Sequence, residues 1–195
     1  MDFYEKLRIW VGLIFSKIPI HQNFWTALVI FLAFVGFLLF VIGEPYLAVF
    51  VFLVSGFFDI VDGGVTAVRS GESNFGKWFS DLSNKGVECL FLLGLQFVAF
   101  PDFILKKDIA MSLLFIYAFL FSYIKSNGYY RKIIKKEIKT LPGFERGERI
   151  IPLYVGVLLH YFNPIYLSYL VMVSIVISTI RPLLRAAEII NVIKL

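Results

Sequence analysis

The stretch between Arg149 and Arg181 carries no charged residue, and its length constrains the fold more than any other feature. As one straight helix these 31 residues would reach about 46 Å, whereas the hydrocarbon core of a bilayer is about 30 Å thick. Asn163-Pro164 is a turn signal near the middle of the stretch. We therefore predict two tightly linked membrane spans, 150–162 and 164–180. One long broken helix is the alternative.

Four more largely apolar runs have the length of membrane-spanning helices. They cover residues 24–42, 45–58, 78–100 and 109–124. The composition, 59% hydrophobic and 17% charged, leaves too few polar side chains to cover a water-facing surface, so lipid must cover much of it. The sequence thus predicts an all-α, polytopic membrane protein that forms a single domain, 1–195, with six transmembrane helices.

Residues 1–20 are apolar but are interrupted by charges, and no small-residue cleavage site follows them. At helical spacing, one face of this segment collects its large apolar side chains: Phe3, Leu7, Trp10, Val11 and Ile14. We expect an N-terminal amphipathic helix that lies in the membrane interface rather than crossing it.

The distribution of Lys and Arg gives the orientation. With six spans, 16 of the 19 basic residues fall at the termini and in the second and fourth loops, and 2 fall on the other side. The positive-inside rule then predicts a multi-pass protein of the cell membrane with both termini cytoplasmic. The net charge of +5 is explained by this topology, and no nucleic-acid recognition motif accompanies it, so we expect no nucleic-acid partner.

Ionisable side chains gather at the cytoplasmic ends of the second and third predicted spans, where they mark a functional site. Asp59 and Asp62 are spaced i, i+3 on one helical face, and two glycines follow them. The third span opens with polar residues at helical spacing: Gly76, Ser80, Asp81, Asn84, Lys85 and Glu88. Carboxylates that meet without equal counter-charge would bind a divalent cation and suit a phosphate-bearing substrate. The alternative is that Asp59 and Asp62 only cap a helix or pair with Arg69 and Lys85.

These residues resemble the signature of the CDP-alcohol phosphotransferase family, Asp-x2-Asp-Gly-x2-Ala-Arg-x8-Gly-x3-Asp-x3-Asp. Four signature positions match without a gap: Asp59, Asp62, Gly63 and Gly76. Further likenesses lie outside the signature: Asn23-x2-Thr26, Phe75-Gly76, Lys85-x2-Glu88, Ser122-Tyr123-x-Lys125 and Glu145-Arg146-x-Glu148-Arg149. The resemblance implies a six-helix core over about 23–182, a homodimer, and a site that faces the cytoplasm.

The resemblance also implies an activity in phospholipid biosynthesis. Such an enzyme moves a phosphatidyl-type group from a CDP-linked lipid to a small alcohol, or to the phosphate of that alcohol, and releases CMP. Mg²⁺ or Mn²⁺ would be held by Asp59 and Asp62, and Asp81, next to the third ligand position, is the candidate for a third ligand. The CDP moiety would contact the following residues: Gly63, Thr66, Gly76 and Ser80. Lys125, Arg146 and Arg149 would grip an acceptor phosphate, although adhesion to anionic headgroups also explains this basic loop.

The sequence departs from the signature at positions that carry the chemistry. Thr66-Ala67 replaces Ala-Arg, Ser80 stands at the third Asp, and Asn84 stands at the fourth, the position of the general base. An amide cannot take up the acceptor proton, so either Asp81 or a metal-bound water is the candidate substitute. Two hypotheses follow: a working phosphotransferase with a rearranged site, or a member that has lost turnover and binds nucleotide or lipid, or acts as a scaffold. A small transporter is a third hypothesis.

Overall fold

The computed structural model describes residues 3–69, 74–130 and 147–193, and the regular secondary structure within these ranges is entirely α-helical. Seven helices occupy the described ranges: α1 (Phe3–Phe15), α2 (Gln22–Val41), α3 (Pro45–Val68), α4 (Asn74–Leu95), α5 (Lys107–Tyr130), α6 (Gly147–Leu159) and α7 (Ile165–Ile193). The prediction of an all-α fold is confirmed. The helices fall into two compact units, Met1–Val98 and Ala99–Leu195.

The uncharged stretch after Arg149 forms two helices, as the turn signal predicts. α6 ends at Leu159 and α7 begins at Ile165. Asn163 Oδ1 accepts a hydrogen bond from the Ile165 N–H at 3.0 Å and so satisfies a donor at the start of α7. The alternative of one long broken helix is therefore wrong.

Two helices in the described part of the chain are long and apolar enough to cross a membrane, Asn23–Val41 and Pro45–Val68. Two shorter apolar segments, Arg149–Leu159 and Ile165–Ile180, fall below that length. Six helices, α2 to α7, follow the six predicted spans in order. That all six cross the bilayer stays a prediction.

The first unit is held together by three phenylalanines that meet between α2, α3 and α4. Phe40, Phe52 and Phe91 are almost fully buried, and their ring centroids lie 5.1–6.0 Å apart. Glycines on neighbouring helices make room for the rings: a Cβ on Gly36 would lie 2.7 Å from the Phe52 ring, and one on Gly94 would collide with Phe40. This tight interlock fixes α3 and α4, which carry the predicted site, relative to α2.

α1 crosses α3 in direct backbone contact. A Cβ on Gly12 would collide with the backbone of Gly64, and a Cβ on Gly64 would collide with the backbone of α1. Beside this crossing, Val11 is buried with Trp25, whereas Trp10 on the predicted apolar face is 62% exposed. The apolar face of α1 is thus divided between the interior of the unit and the surface.

The second unit packs α7 against α5 and α6. Its buried core is formed by aliphatic side chains that include Met111, Leu153, Leu167 and Val171. Ser168 Oγ donates to the Pro101 carbonyl at 2.6 Å, which ties α7 to the segment before α5.

Candidate active site

α3 runs without interruption through the acidic motif. The helix begins at Pro45, whose fixed backbone suits a first helical position, and continues through Gly63 and Gly64 to Val68. Asp59 and Asp62 therefore lie nearly one turn apart on a regular helix, as the i, i+3 spacing predicts. Asp62 is only 3% exposed, whereas Asp59 is half-buried, so Asp59 is the more accessible carboxylate.

A buried hydrogen bond orients the Asp62 side chain. Thr26 Oγ1 on α2 donates to Asp62 Oδ2 at 2.8 Å, and Thr26 itself is 2% exposed. α2 begins four residues earlier, where the His21 side chain accepts from the Asn23 N–H. This hydrogen bond holds the Asp62 side chain in one rotamer.

The hydroxyl of Thr66, one of the predicted CDP contacts, donates its hydrogen bond within its own helix. Its Oγ1 donates to the Asp62 carbonyl oxygen at 2.8 Å. A hydroxyl has one donor and two lone pairs, so Thr66 retains only acceptor capacity in this arrangement. It is suited to accept from a ribose hydroxyl or a cytosine amine rather than to donate to a phosphate.

The two cations that the alternative hypothesis names as partners of the acidic pair are directed elsewhere. Arg69 donates to the carbonyl oxygens of Ser16, Ile18 and Ile20, at 2.8 Å to Ser16 and 2.6 Å to Ile20. Lys85 Nζ lies 2.9 Å from Glu88 Oε2 within α4. Simple pairing of the carboxylates with these two cations is therefore not favoured.

α4 carries the remaining predicted residues of the first unit. Gly76 is buried, Ser80 and Asn84 are half-buried, and Asp81 is exposed. Asp81 follows Ser80 by one residue, which turns it about 100° around the helix axis. Within the ranges 3–69, 74–130 and 147–193, no three Asp, Glu, His or Cys side chains are grouped closely enough to hold a metal ion.

The pair on α3 nevertheless fits a hard divalent cation. Mg²⁺ is usually bound through one or two carboxylates, with substrate phosphates and water completing its shell. Asp59 and Asp62 offer two carboxylates on one rigid helix, and one of them is fixed by Thr26. Asp81 stays a prediction as a third ligand.

The predicted acceptor-phosphate residues belong to the second unit. Arg149 lies in the first turn of α6 and is 5% exposed, and its carbonyl oxygen accepts from Ser174 Oγ at 3.0 Å. Lys125 lies on α5, but its side chain is outside the described residues, as is the whole of Arg146. Their role in binding a phosphate stays a prediction.

Sequence reasoning missed the contribution of α1 to this region. The side chain of Arg8 lies against Gly63: a Cβ on Gly63 would be 2.8 Å from Arg8 Nε and 3.1 Å from its Cζ. The space that the two glycines leave beside α3 is therefore filled by α1. The only signal in the sequence is the i, i+4 spacing of Arg8 and Gly12, which places both on one face of the first helix.

Comparison with known proteins agrees with this fold. The family described as CDP-alcohol phosphatidyltransferase matches residues 20–180. Among curated proteins, none matches the sequence. Phosphatidylinositol phosphate synthase of Mycobacterium tuberculosis has a similar structure. In its apo form it is 20% identical, with a TM-score of 0.72, and the match covers 91% of this chain and 93% of that one.

Two further crystal structures of the same synthase also match, each at 22% identity and a TM-score of 0.70. One has CDP-DAG bound, and the match covers 94% of both chains. The other is in complex with manganese and citrate, and the match covers 93% of this chain and 88% of that one. At this level of identity the likeness establishes the fold.

Proposed function

This chain belongs to the CDP-alcohol phosphatidyltransferase family, and on that premise we propose that it transfers a phosphatidyl-type group from a CDP-linked lipid to a small alcohol or its phosphate. The observation that carries the proposal is the acidic pair on α3. Asp62 is buried and oriented by Thr26, and Asp59 is accessible on the same helix. A donor that carries a diphosphate supplies the phosphate oxygens that such a pair lacks as ligands for a cation.

We propose that Asp59 and Asp62 hold Mg²⁺ or Mn²⁺, with Asp81 as a predicted third ligand. The crystal structure of a similar protein with manganese supports the choice of metal. When bound, the cation neutralises negative charge that develops on the phosphate oxygens. The chain's own contribution is to position one of these side chains: the hydrogen bond from Thr26 holds Asp62 in place before the substrate arrives.

In the proposed reaction, the acceptor oxygen bonds to the β-phosphorus and the bond from that phosphorus to the bridging oxygen breaks. CMP leaves with the bridging oxygen and its electron pair. The acceptor hydroxyl loses its proton, which Asn84 cannot take because an amide has no basic site near pH 7. We propose Asp81, exposed on the same helix, as the proton acceptor.

We also propose that the chain is a multi-pass protein whose termini and site face the cytoplasm, and that it forms a homodimer as the family resemblance implies. Large apolar side chains are exposed on successive helices, among them Phe31 on α2, Phe50 on α3 and Ile116 on α5, each at 58–62%. Exposed apolar surface of this kind is a liability in water and is expected where lipid covers it.

Acceptor-dependent CMP release tests the proposed function. The purified protein in nanodiscs would be supplied with CDP-DAG, Mg²⁺ or Mn²⁺, and a panel of polar alcohols and their phosphates. Release that requires an acceptor supports a transferase. CDP-DAG binding without release across the panel would favour the alternative, a member that retains the ligand and has lost turnover through the change to Asn84.

A further inference from the structure

The Arg8 side chain reaches the acidic motif from a different helix. Its Nε would lie 2.8 Å from a Cβ on Gly63, the residue that follows Asp62 and stands one turn after Asp59. The guanidinium can occupy this place because Gly63 has no side chain. Residues at i and i+4 are neighbours on a helix surface, so Arg8 lies over the face of α3 that carries Asp59.

The Nε atom of Arg8 is buried and has no hydrogen-bond acceptor in the part of the chain that the structure describes. A buried donor without an acceptor costs free energy, and the cost is higher for a charged group. Such a group in a folded protein requires an explanation, and a bound anion is one. A guanidinium offers five N–H donors in a planar fork that matches the oxygens of a phosphate.

α1 is also held firmly enough to position that fork. The Gly12–Gly64 crossing lies one turn further along α1, and Arg69 donates to the carbonyl oxygens of Ser16 and Ile20 beyond the end of α1. The Arg69 guanidinium is therefore hydrogen-bonded to backbone carbonyl oxygens, whereas the Arg8 guanidinium lies beside Gly63 of the acidic motif. A fixed guanidinium loses little conformational freedom when it binds a phosphate.

From these contacts we propose that Arg8 binds a phosphate group of the CDP-linked donor beside Gly63. The inference rests on the proposed function, because it takes the donor's diphosphate as the anion. The guanidinium would bind phosphate oxygens directly while Asp59 and Asp62 hold the cation. A donor diphosphate would then meet positive charge from two sides.

Binding of CDP-DAG, CDP and cytidine to the full chain in nanodiscs with Mn²⁺ tests this assignment. Arg8→Gln should weaken the binding of CDP and CDP-DAG about ten- to hundredfold, since a hydrogen bond to a charged group is worth roughly 1.5–3 kcal/mol. Cytidine, which has no phosphate, should bind with the same affinity to the native protein and to Arg8→Gln. Lys6→Gln is the matched control, because Lys6 is an exposed cation on the same helix.

Gly63→Ala gives an independent route to the same contact without altering Arg8. The added Cβ would displace the guanidinium, so this change should weaken CDP binding in the native background and much less in the Arg8→Gln background. Gly56→Ala on the same helix is the control, because a Cβ there has no neighbour within 4 Å. Arg8→Lys should retain part of the affinity.

The outcomes separate the two claims. If the native protein binds neither CDP-DAG nor CDP with Mn²⁺, the proposed function is wrong and the role of Arg8 is lost with it. If Arg8→Gln binds CDP like the native protein while Asp59→Asn does not bind it, only the Arg8 assignment is wrong. If Arg8→Gln weakens cytidine binding as much as CDP binding, Arg8 has a structural role and does not bind the phosphate. If Arg8→Gln lowers CDP binding only in nanodiscs of anionic lipid, Arg8 binds lipid headgroups. That result would also overturn the assignment.

Discussion

Thr26 on α2 donates a hydrogen bond to Asp62 on α3 at 2.8 Å, and both side chains are at least 97% buried. This contact joins the opening of the first long apolar helix to the acidic motif of the next. Thr26 belongs to the segment Asn23-x2-Thr26, which lies outside the signature, and its role in the structure is to orient Asp62. The second carboxylate of the motif is thus oriented by a side chain from a neighbouring helix.

Removal of the Thr26 hydroxyl should weaken the site while leaving its volume nearly unchanged. Thr26→Val leaves Asp62 without this donor, so we expect metal-dependent affinity for CDP-DAG to fall about tenfold or more. Thr26→Ser, which retains a hydroxyl, should bind nearly as well as the native protein. Titration of CDP-DAG against both variants in Mn²⁺ measures the difference. Equal affinities for the Val and Ser variants would show that the hydrogen bond has no role in binding.

The Gly12–Gly64 crossing should tolerate no added carbon. In Gly12→Ala the new Cβ meets the backbone of Gly64, which cannot rotate away, so we expect unfolding free energy to fall by about 1–3 kcal/mol. Gly86→Ala on α4 is the control, since a Cβ there has no neighbour within 4 Å and alanine favours a helix. Thermal unfolding in one detergent compares them. A Gly12→Ala protein as stable as the control would contradict the close crossing.

Arg69 should hold the segment that connects α1 to α2. Arg69→Gln removes the donors to the carbonyl oxygens of Ser16, Ile18 and Ile20, so amides in residues 16–21 should exchange with solvent about tenfold faster, a loss of roughly 1.4 kcal/mol. Lys17→Gln removes an exposed charge nearby and serves as the control. Hydrogen exchange read by mass spectrometry would detect the change. Unaltered exchange in Arg69→Gln would show that these bonds do not secure the segment.

Restoring a carboxylate at position 84 tests the account of the missing base. If Asn84 stands at the general-base position, Asn84→Asp should raise acceptor-dependent CMP release about tenfold or more, since general-base catalysis typically contributes 10²–10⁴-fold. Asp81→Asn should lower the release in the native background and have less effect in Asn84→Asp. Single-turnover rates at saturating CDP-DAG separate this step from binding. A rate for Asn84→Asp that stays at the native level would remove position 84 from the chemistry.

The sequence predicts the helices well because their signals are local. Apolar runs and the Asn163-Pro164 turn place the starts of α2 to α7 within four residues of the observed ones, whereas α3 and α7 continue 10 and 13 residues beyond their predicted ends. The i, i+3 spacing puts Asp59 and Asp62 on one helix. Each of these features depends on neighbours in the chain. Helical periodicity and turn chemistry are therefore sufficient to predict them.

Contacts between distant parts of the chain are not predictable in this way. Arg8 and Gly63 are far apart in sequence, and nothing local indicates that α1 would cross α3 at the glycines. Gly63, a predicted CDP contact, packs against the Arg8 side chain, a neighbour that the sequence does not indicate. The hydrogen bonds from Arg69 to the carbonyl oxygens of Ser16 and Ile20 also join distant parts of the chain, and the sequence does not predict them either.

The proposal that Asp59 and Asp62 form the metal site for the CDP-linked donor can be tested without following turnover. Its most direct test is Mn²⁺ binding in the presence of CDP, measured by calorimetry on the native protein, Asp59→Asn, Asp62→Asn and the control Asp108→Asn, which alters an exposed carboxylate on α5. We predict that both motif variants lose CDP-dependent Mn²⁺ binding and that the control retains it. Native-like binding by Asp59→Asn and Asp62→Asn would contradict the account.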